Sequence, residues 1–547
     1  MVPKTSNYYR IWQLLQFDKE DVLSIYFYAI LNGLLQLSVP VGIQAIIGFV
    51  MGAAMVTSIY VLIFLVVLSV LIVGILQINQ MKIIEKIQQK IYTRFAFEFV
   101  DKISKLDLYQ NDAYYLPEKV NRFFDTIIVQ KGFSKLLLDV PVALIQIVFG
   151  LILLSFYNPL FIIIGLIFVI ILWSILSITG QKGLETNALE SNFKYETISW
   201  IQELARIRSF KLSQDSGLDF KKADEIIVQY LKARTRHFQV LLLQYKSLVG
   251  FKVVITFSLL GGGVLLLVNQ RLNIGEFVAA EIIIISILTA TERLIKSLDI
   301  VYDVITGLNK LNSVTELPSE KFGTIPYQKQ AVKLELIDFE FAYPNGRKLI
   351  KNSSMCILPE TIVCLSGEEN SGKSTMLKVL SGIYGNYQGS FLLNEIPINN
   401  YNMESLRQEM GVLLNADDIF PGTILENITM GRDIKPEKIL EISEKIGFEN
   451  LMKNSPFGFE TPIDILGKNL SKSMIKKIML LRAFCHEPKL LILEEPWLEL
   501  EESKSMIIDY LASKPNNATI IVSTNDKFFT SKCDEVYQIK NGKLTKK

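Results

Sequence analysis

Histidine and cysteine are scarce in this 547-residue chain, and over two long stretches charge is missing altogether. His237 and His486 are the only histidines, which nearly excludes a histidine-built metal centre. Cys356, Cys364, Cys485 and Cys533 all fall after residue 350, with no CxxC spacing and no disulfide framework. They read as small buried hydrophobes in a reducing compartment. The 57 Lys and Arg nearly balance the 55 Asp and Glu, and a net charge of +2 argues against a nucleic-acid partner. No Asp, Glu, Lys or Arg occurs from 22 to 81, nor from 140 to 181. The first run alone excludes a soluble enzyme.

What fills these runs is apolar. A bilayer span takes roughly 20 apolar residues, so each run holds two spans, turning near Met51-Gly52-Ala53 and at Asn158-Pro159. A looser third pair turns near Arg271-Leu272-Asn273. The expected spans are about 22–50, 55–79, 133–157, 159–180, 248–268 and 275–293. Segments 82–135 and 182–247 are long and rich in Lys and Arg, so they and the N-terminus face the cytoplasm. The first apolar run is too long for a cleavable signal peptide. NYYRIWQLLQF (7–17) has the spacing of a helix along the inner interface, with a plain leader strand as the alternative. The inner segments have a helical period, as in IEKIQQKIYTRFAFEFVDKISKL, and predict long cytoplasmic extensions that turn near 109–119 and 211–219.

Several polar residues lie within the spans. Gln36, Pro40 and Gln44 are four apart and share a face, to line a cavity or to pack against other helices. Lys252 and Glu281 are ionisable residues in the third pair, functional candidates or snorkelling side chains. Gly261-Gly262-Gly263 marks a hinge or a close helix contact.

The pattern changes after a polar linker at 313–330. The organisation expected is a membrane domain over 1–312, that linker, and an α/β domain over 331–547. VKLELIDFEF alternates like a half-buried strand, and TIVCLSG, KLLILEEP and ATIIVST read as buried parallel strands. GEENSGKST (Gly367 to Thr375) matches GxxxxGK[ST] between a strand and a helical run, the context a phosphate-binding loop needs. Its backbone N–H groups would wrap phosphates, Lys373 would reach the β and γ phosphates, and Ser374 would ligate Mg²⁺. LLILEE then supplies two acids at a strand end, Glu494 for Mg²⁺ and Glu495 to orient or deprotonate water.

Six spans, long inner helices and a phosphate-loop domain, in that order, resemble an ATP-binding cassette (ABC) exporter half-transporter over nearly the whole chain. The chain is similar to bacterial peptide- and protein-secretion exporters without their peptidase domain. The resemblance implies ATP and Mg²⁺ as ligands, a dimer of like or unlike halves, a periplasmic adaptor as a further partner, and a multi-pass place in the inner membrane. Tyr343 matches the adenine-stacking aromatic, and Gly367, Asn370, Ser371, Gly372, Lys373, Ser374 and Thr375 match the loop. Glu495 matches the catalytic glutamate, and Glu494 stands where the family has Asp.

Other positions depart from the pattern. The Q-loop glutamine, a metal and catalytic position, falls at Asn415. The switch histidine falls at Asn525, and the loop glutamate before the signature at Ile465. LSGGQ aligns with Leu470-Ser471-Lys472-Ser473-Met474, keeping Ser471 as cap and phosphate contact and placing Lys472 beside the partner's nucleotide. SALD aligns with Leu498-Glu499-Leu500-Glu501. The expectation is an exporter subunit that binds ATP and turns it over slowly. The alternative is a non-hydrolysing regulatory or assembly subunit that uses ATP as a structural ligand.

Overall fold

The computed structural model describes residues 12, 15–16 and 18–547, apart from 52–55, 112–115, 208, 213–216, 322, 415–417 and 451–456. The chain divides into two compact units, Met1–Ser104 with Tyr115–Leu317, and Lys105–Tyr114 with Pro318–Lys547.

The first unit is helical. Among the described residues, six helices are long and apolar enough to cross a membrane. The first is broken: Lys19–Gln36 ends, Leu37 intervenes, and Ser38–Met51 resumes. Pro40 explains the break, because it has no N–H for the Gln36 carbonyl and its ring crowds that carbonyl. The others are Val56–Ser104, Asp125–Tyr157, Leu160–Arg206, Leu218–Val268 and Ile274–Thr315. At about 1.5 Å per residue, the 49-residue Val56–Ser104 helix far exceeds the roughly 30 Å hydrocarbon layer. Its polar C-terminal half therefore extends beyond that layer.

Asn158 is extended (φ −159°) and, with Pro159, turns the chain between two spans. Asn273 starts the last span with a capping box: its side chain accepts from Glu276 N–H at 2.8 Å, and Glu276 accepts from Asn273 N–H at 2.8 Å. The Gly52-Ala53 turn lies outside the described residues, as does most of 7–17.

Several of the polar residues in the spans have partners. Gln36 donates to Asn32 of its own helix at 3.1 Å, whereas Gln44 accepts from Tyr157 of another helix at 2.6 Å and so serves a helix–helix contact. Lys252 pairs with Glu292, which also holds Lys296 at 2.6 Å. A Cβ on Gly263 would lie 2.8 Å from the Phe277 ring, so this glycine marks a close contact.

Among the described residues, the second unit holds two main sheets. Strands β1 (Leu334–Ala342), β2 (Lys348–Ile357), β4 (Gln388–Leu393) and the short β5 (Ile396–Pro397) form an antiparallel sheet in the order β2-β1-β4-β5. In β1 the alternation slips by one residue: Leu334 and Leu336 are buried, then Phe339 and Phe341. Asp338, at φ +47°, marks the bulge that re-aims the strand.

The second sheet uses β3 (Ile362–Gly367), β6 (Met410–Leu413), β9 (Leu490–Glu494), β10 (Thr519–Ser523), β11 (Glu535–Lys540) and β12 (Lys543–Lys546). Its order is β12-β11-β3-β10-β9-β6, and a short pair, β7 (Gly422–Thr423) with β8 (Pro462–Ile463), stands apart. Strands β3, β6, β9, β10 and β11 run parallel, and their buried runs match helices packed on both faces. Ser523 pairs with both Leu365 and Glu494, so the loops after β3, β9 and β10 leave the sheet at one edge. The carboxyl edge of such a sheet is where ligands bind.

Candidate functional site

At that edge β3 ends in Gly367, and the loop leads into the helix Lys373–Leu380. Two glycines are sterically required. A Cβ on Gly367 would lie 2.6 Å from Ser371 Oγ and 2.8 Å from the Ile539 carbonyl. Gly372 has φ +105°, and a Cβ there would meet Leu349 at 2.9 Å. Asn370 takes φ +59°, a region Asn tolerates. A tight turn feeding a helix N-terminus gathers backbone N–H groups and the positive helix end around an anion.

The loop's side chains are turned onto protein groups. Lys373 Nζ donates to the carbonyls of Gly367 (2.7 Å) and Glu368 (2.9 Å). Ser374 Oγ donates to the Glu494 carboxylate. Thr375 Oγ1 and the Tyr343 hydroxyl lie 2.6 Å apart. Ser371 Oγ is buried with no hydrogen-bond partner among the described residues. An unpartnered hydroxyl and an ammonium held by two carbonyls fit an anion in the loop. Ser374 and Glu494 are a hydroxyl and a carboxylate, oxygen donors of the kind Mg²⁺ takes.

Glu495 follows β9 with φ +40°, and its N–H donates to Ser523 O at 3.0 Å. Thr524 Oγ1 donates to Glu495 Oε2 at 2.9 Å. Burial raises the Glu495 carboxyl above its ordinary range, and the Thr524 hydrogen bond and the Lys373 charge partly offset this. Lys476 Nζ, largely buried, lies 3.4 Å from the Glu494 carbonyl and adds positive charge nearby. Neither Thr524 nor Lys476 was read from sequence as part of the site. Thr524 carried a signal, a hydroxyl at the end of a buried strand beside Asn525. Lys476 is one of several lysines in KSMIKKIMLL and had none.

Asn525 is turned to the loop. Its Oδ1 accepts from Gly367 N–H at 3.1 Å, and its Nδ2 donates to Gly367 O at 2.9 Å. Both ends of the amide are engaged. Ser471 caps the helix Lys472–Phe484, accepting from Met474 N–H at 3.2 Å, and its hydroxyl meets Ser473 Oγ at 3.0 Å. Lys472 is exposed, 3.7 Å from Glu499, itself at φ +68°. Ile465 is exposed as well. Asn415 lies outside the described residues. Tyr343, Gly367, Ser374, Thr375, Glu494, Glu495 and Asn525 are thus linked by direct hydrogen bonds or chain adjacency. Ser471 and Lys472 form a separate group.

With this geometry in place, comparison with known proteins gives a consistent result. Residues 350–498 match the ABC transporter family. A probable ABC transporter ATP-binding/permease protein of Haemophilus influenzae is 26% identical over 62% of the chain and 63% of its own length. A multidrug resistance ABC transporter ATP-binding and permease protein of Lactococcus lactis is 24% identical over 63% of the chain and 59% of its length. The chain therefore matches a little under two thirds of these relatives' lengths. A solved structure of a bacterial Atm1-family ABC exporter with ATP bound superposes with a TM-score of 0.85 at 15% identity, covering 96% of this chain and 94% of that one. The chain carries an ABC transporter domain on an ABC-exporter fold, in a multi-pass inner-membrane protein whose nucleotide domain is cytoplasmic.

Proposed function

We propose that this ABC-exporter chain is one half of a dimeric ATP-dependent export machine, and that it binds ATP with Mg²⁺ but turns it over slowly. One observation carries the reading: the phosphate loop, Glu494-Glu495 and Thr524-Asn525 converge on one sheet edge, in a chain that also supplies six spans. Mg²⁺, when bound, would supply positive charge to compensate the phosphates. The chain's residues do the rest. Tyr343 presents a flat ring for the base. Lys373 exchanges its two carbonyl partners for phosphate oxygens. Ser374 and Glu494 hold the metal side, with Asn415 as the third expected contributor. Glu495 takes a proton from water at its carboxylate, and the Thr524 hydroxyl keeps that carboxylate oriented.

Slow turnover has a physical basis at the closing elements. The Asn525 amide is committed to Gly367 and carries no imidazole charge for a γ-phosphate. Lys472 and Ser473 put side chains where the family's signature has glycines, so a partner's nucleotide cannot approach the helix N-terminus as closely. The partner is a second copy or an unlike half-transporter. In neither pairing does a site unite a full-consensus loop, switch and signature.

The same engaged Asn525 favours a second reading, a regulatory or assembly subunit stabilised by ATP. ATPase activity of the purified protein in lipid, with uptake into inverted vesicles, separates the two. Substrate-stimulated turnover with uptake supports export. Tight ATP binding with neither supports the regulatory reading. Turnover at a consensus exporter's rate overturns the slow cycle.

A further inference from the structure

The chain between the first two long inner helices, residues 105–114, belongs to the nucleotide unit. Its backbone is strapped to the segment entering that unit. Asp107 N–H donates to Pro318 O at 3.1 Å, Glu320 N–H donates to Lys105 O at 2.9 Å, and Leu106 bridges Ser319. From the short helix Leu108–Asn111, Tyr109 enters the core of the unit and is only 7% exposed.

Tyr109 ends in a cage of aromatic rings. Its ring stands edge-on to Phe341 (centroids 5.6 Å apart, 75°) and to Tyr384 (5.8 Å, 74°). Phe341 and Tyr384 are stacked at 5.7 Å with 6° between their planes. Phe341 in turn stands edge-on to Tyr343 at 5.5 Å, and Tyr343 hydrogen-bonds Thr375 of the phosphate loop. Tyr109 also holds the backbone: its hydroxyl donates to Ala342 O at 2.7 Å, the carbonyl next to Tyr343. Lys378 of the loop's helix lies over the Tyr384 ring at 5.2 Å and donates to its hydroxyl at 3.2 Å.

We propose that Tyr109 is a positioning residue for nucleotide binding: it fixes the end of β1 and, through Phe341, the attitude of the Tyr343 ring. This rests on the reading of Tyr343 as the base-stacking residue and assigns the turn at 105–111 a defined handle on base affinity. The handle has two parts. One is ring packing, which resists rotation of Phe341. The other is the single hydroxyl bond to Ala342, which resists sliding of the strand end. A shift of the turn moves Tyr343 through these two contacts, while Gly367 at the start of the phosphate loop is held separately by the two Asn525 bonds.

The test uses the full-length protein in lipid nanodiscs and calorimetric binding of two ligands, ATP and inorganic tripolyphosphate. Tyr109→Phe keeps the ring and removes the bond to Ala342. It is expected to weaken ATP binding about three- to tenfold, one lost hydrogen bond, and to leave tripolyphosphate unchanged. Tyr343→Ala should weaken ATP more, and the double variant Y109F/Y343A should bind ATP as Y343A alone does. Equal losses for both ligands, or an unchanged ATP affinity in Y109F beside a weakened Y343A, overturn the positioning role. If Y343A binds ATP as tightly as the parent, the stacking reading fails and the relay with it, while the export reading is judged separately by turnover and uptake.

Discussion

Asn525 grips Gly367 by both of its backbone polar groups, accepting from the N–H at 3.1 Å and donating to the C=O at 2.9 Å. That carbonyl also receives Lys373 at 2.7 Å. The first residue of the phosphate loop is therefore held by two side chains, Asn525 and Lys373. Asn525→Ala removes both amide bonds, each worth about 1 kcal/mol net. The expected result is ATP binding weakened roughly tenfold, read by calorimetry, with the helical unit unaffected. Unchanged affinity would show that the clasp plays no part in presenting the loop.

Glu495 is the base expected to support residual turnover, and burial raises its carboxyl above the ordinary glutamate range. A carboxyl with a raised pKa becomes charged later as pH rises, so the acid limb of the ATPase rate should lie above that of an ordinary glutamate. The Thr524 bond favours the charged form. Thr524→Val should therefore move the acid limb further toward neutral pH. A limb that stays in place would separate Thr524 from Glu495's ionisation. Glu495→Gln should abolish turnover while keeping ATP bound.

Lys472 and Glu499 meet at 3.7 Å with the lysine largely exposed. Exposed pairs contribute about 0–1 kcal/mol, so neither partner matters much to folding. Lys472→Ala should leave the melting temperature unchanged. If the lysine faces the partner's γ-phosphate in a closed dimer, the same change lowers turnover. Untouched ATP affinity and turnover would remove that role.

Gly183 on the Leu160–Arg206 helix packs against Tyr302, and a Cβ there would lie 2.4 Å from the ring. The ring is held in turn, since Gln244 donates to the Tyr302 hydroxyl at 2.8 Å and to Thr179 at 2.9 Å. Three long helices meet at this point. Gly183→Ala should destabilise the helical unit by about 1–3 kcal/mol through overpacking. A thermal melt in detergent reads the loss, and a melt equal to the parent's would show that Tyr302 can move aside freely.

Much of this architecture was legible in the residues. The two runs without charge held four spans, because a bilayer tolerates no unpaired charge at low cost, and the looser third pair, which carries Lys252 and Glu281, was read from its apolar length. GEENSGKST was readable because its glycines answer to backbone geometry that no other residue meets, seen at Gly372 with φ +105°. Less was legible wherever a contact joins distant segments. The break at Leu37 follows from Pro40, which the sequence contained and the single-span reading passed over.

The sequence by itself determined the order of membrane and nucleotide parts and the loop chemistry, since these depend on local composition and spacing. Only the tertiary structure decided that Asn525 holds Gly367, that Thr524 orients Glu495, and that Tyr109 sits among Phe341 and Tyr384. The physical reason is that each contact crosses between strands, or joins residues more than a hundred positions apart. Hydrogen-bond partners there are set by parallel register and ring packing, which no local pattern encodes.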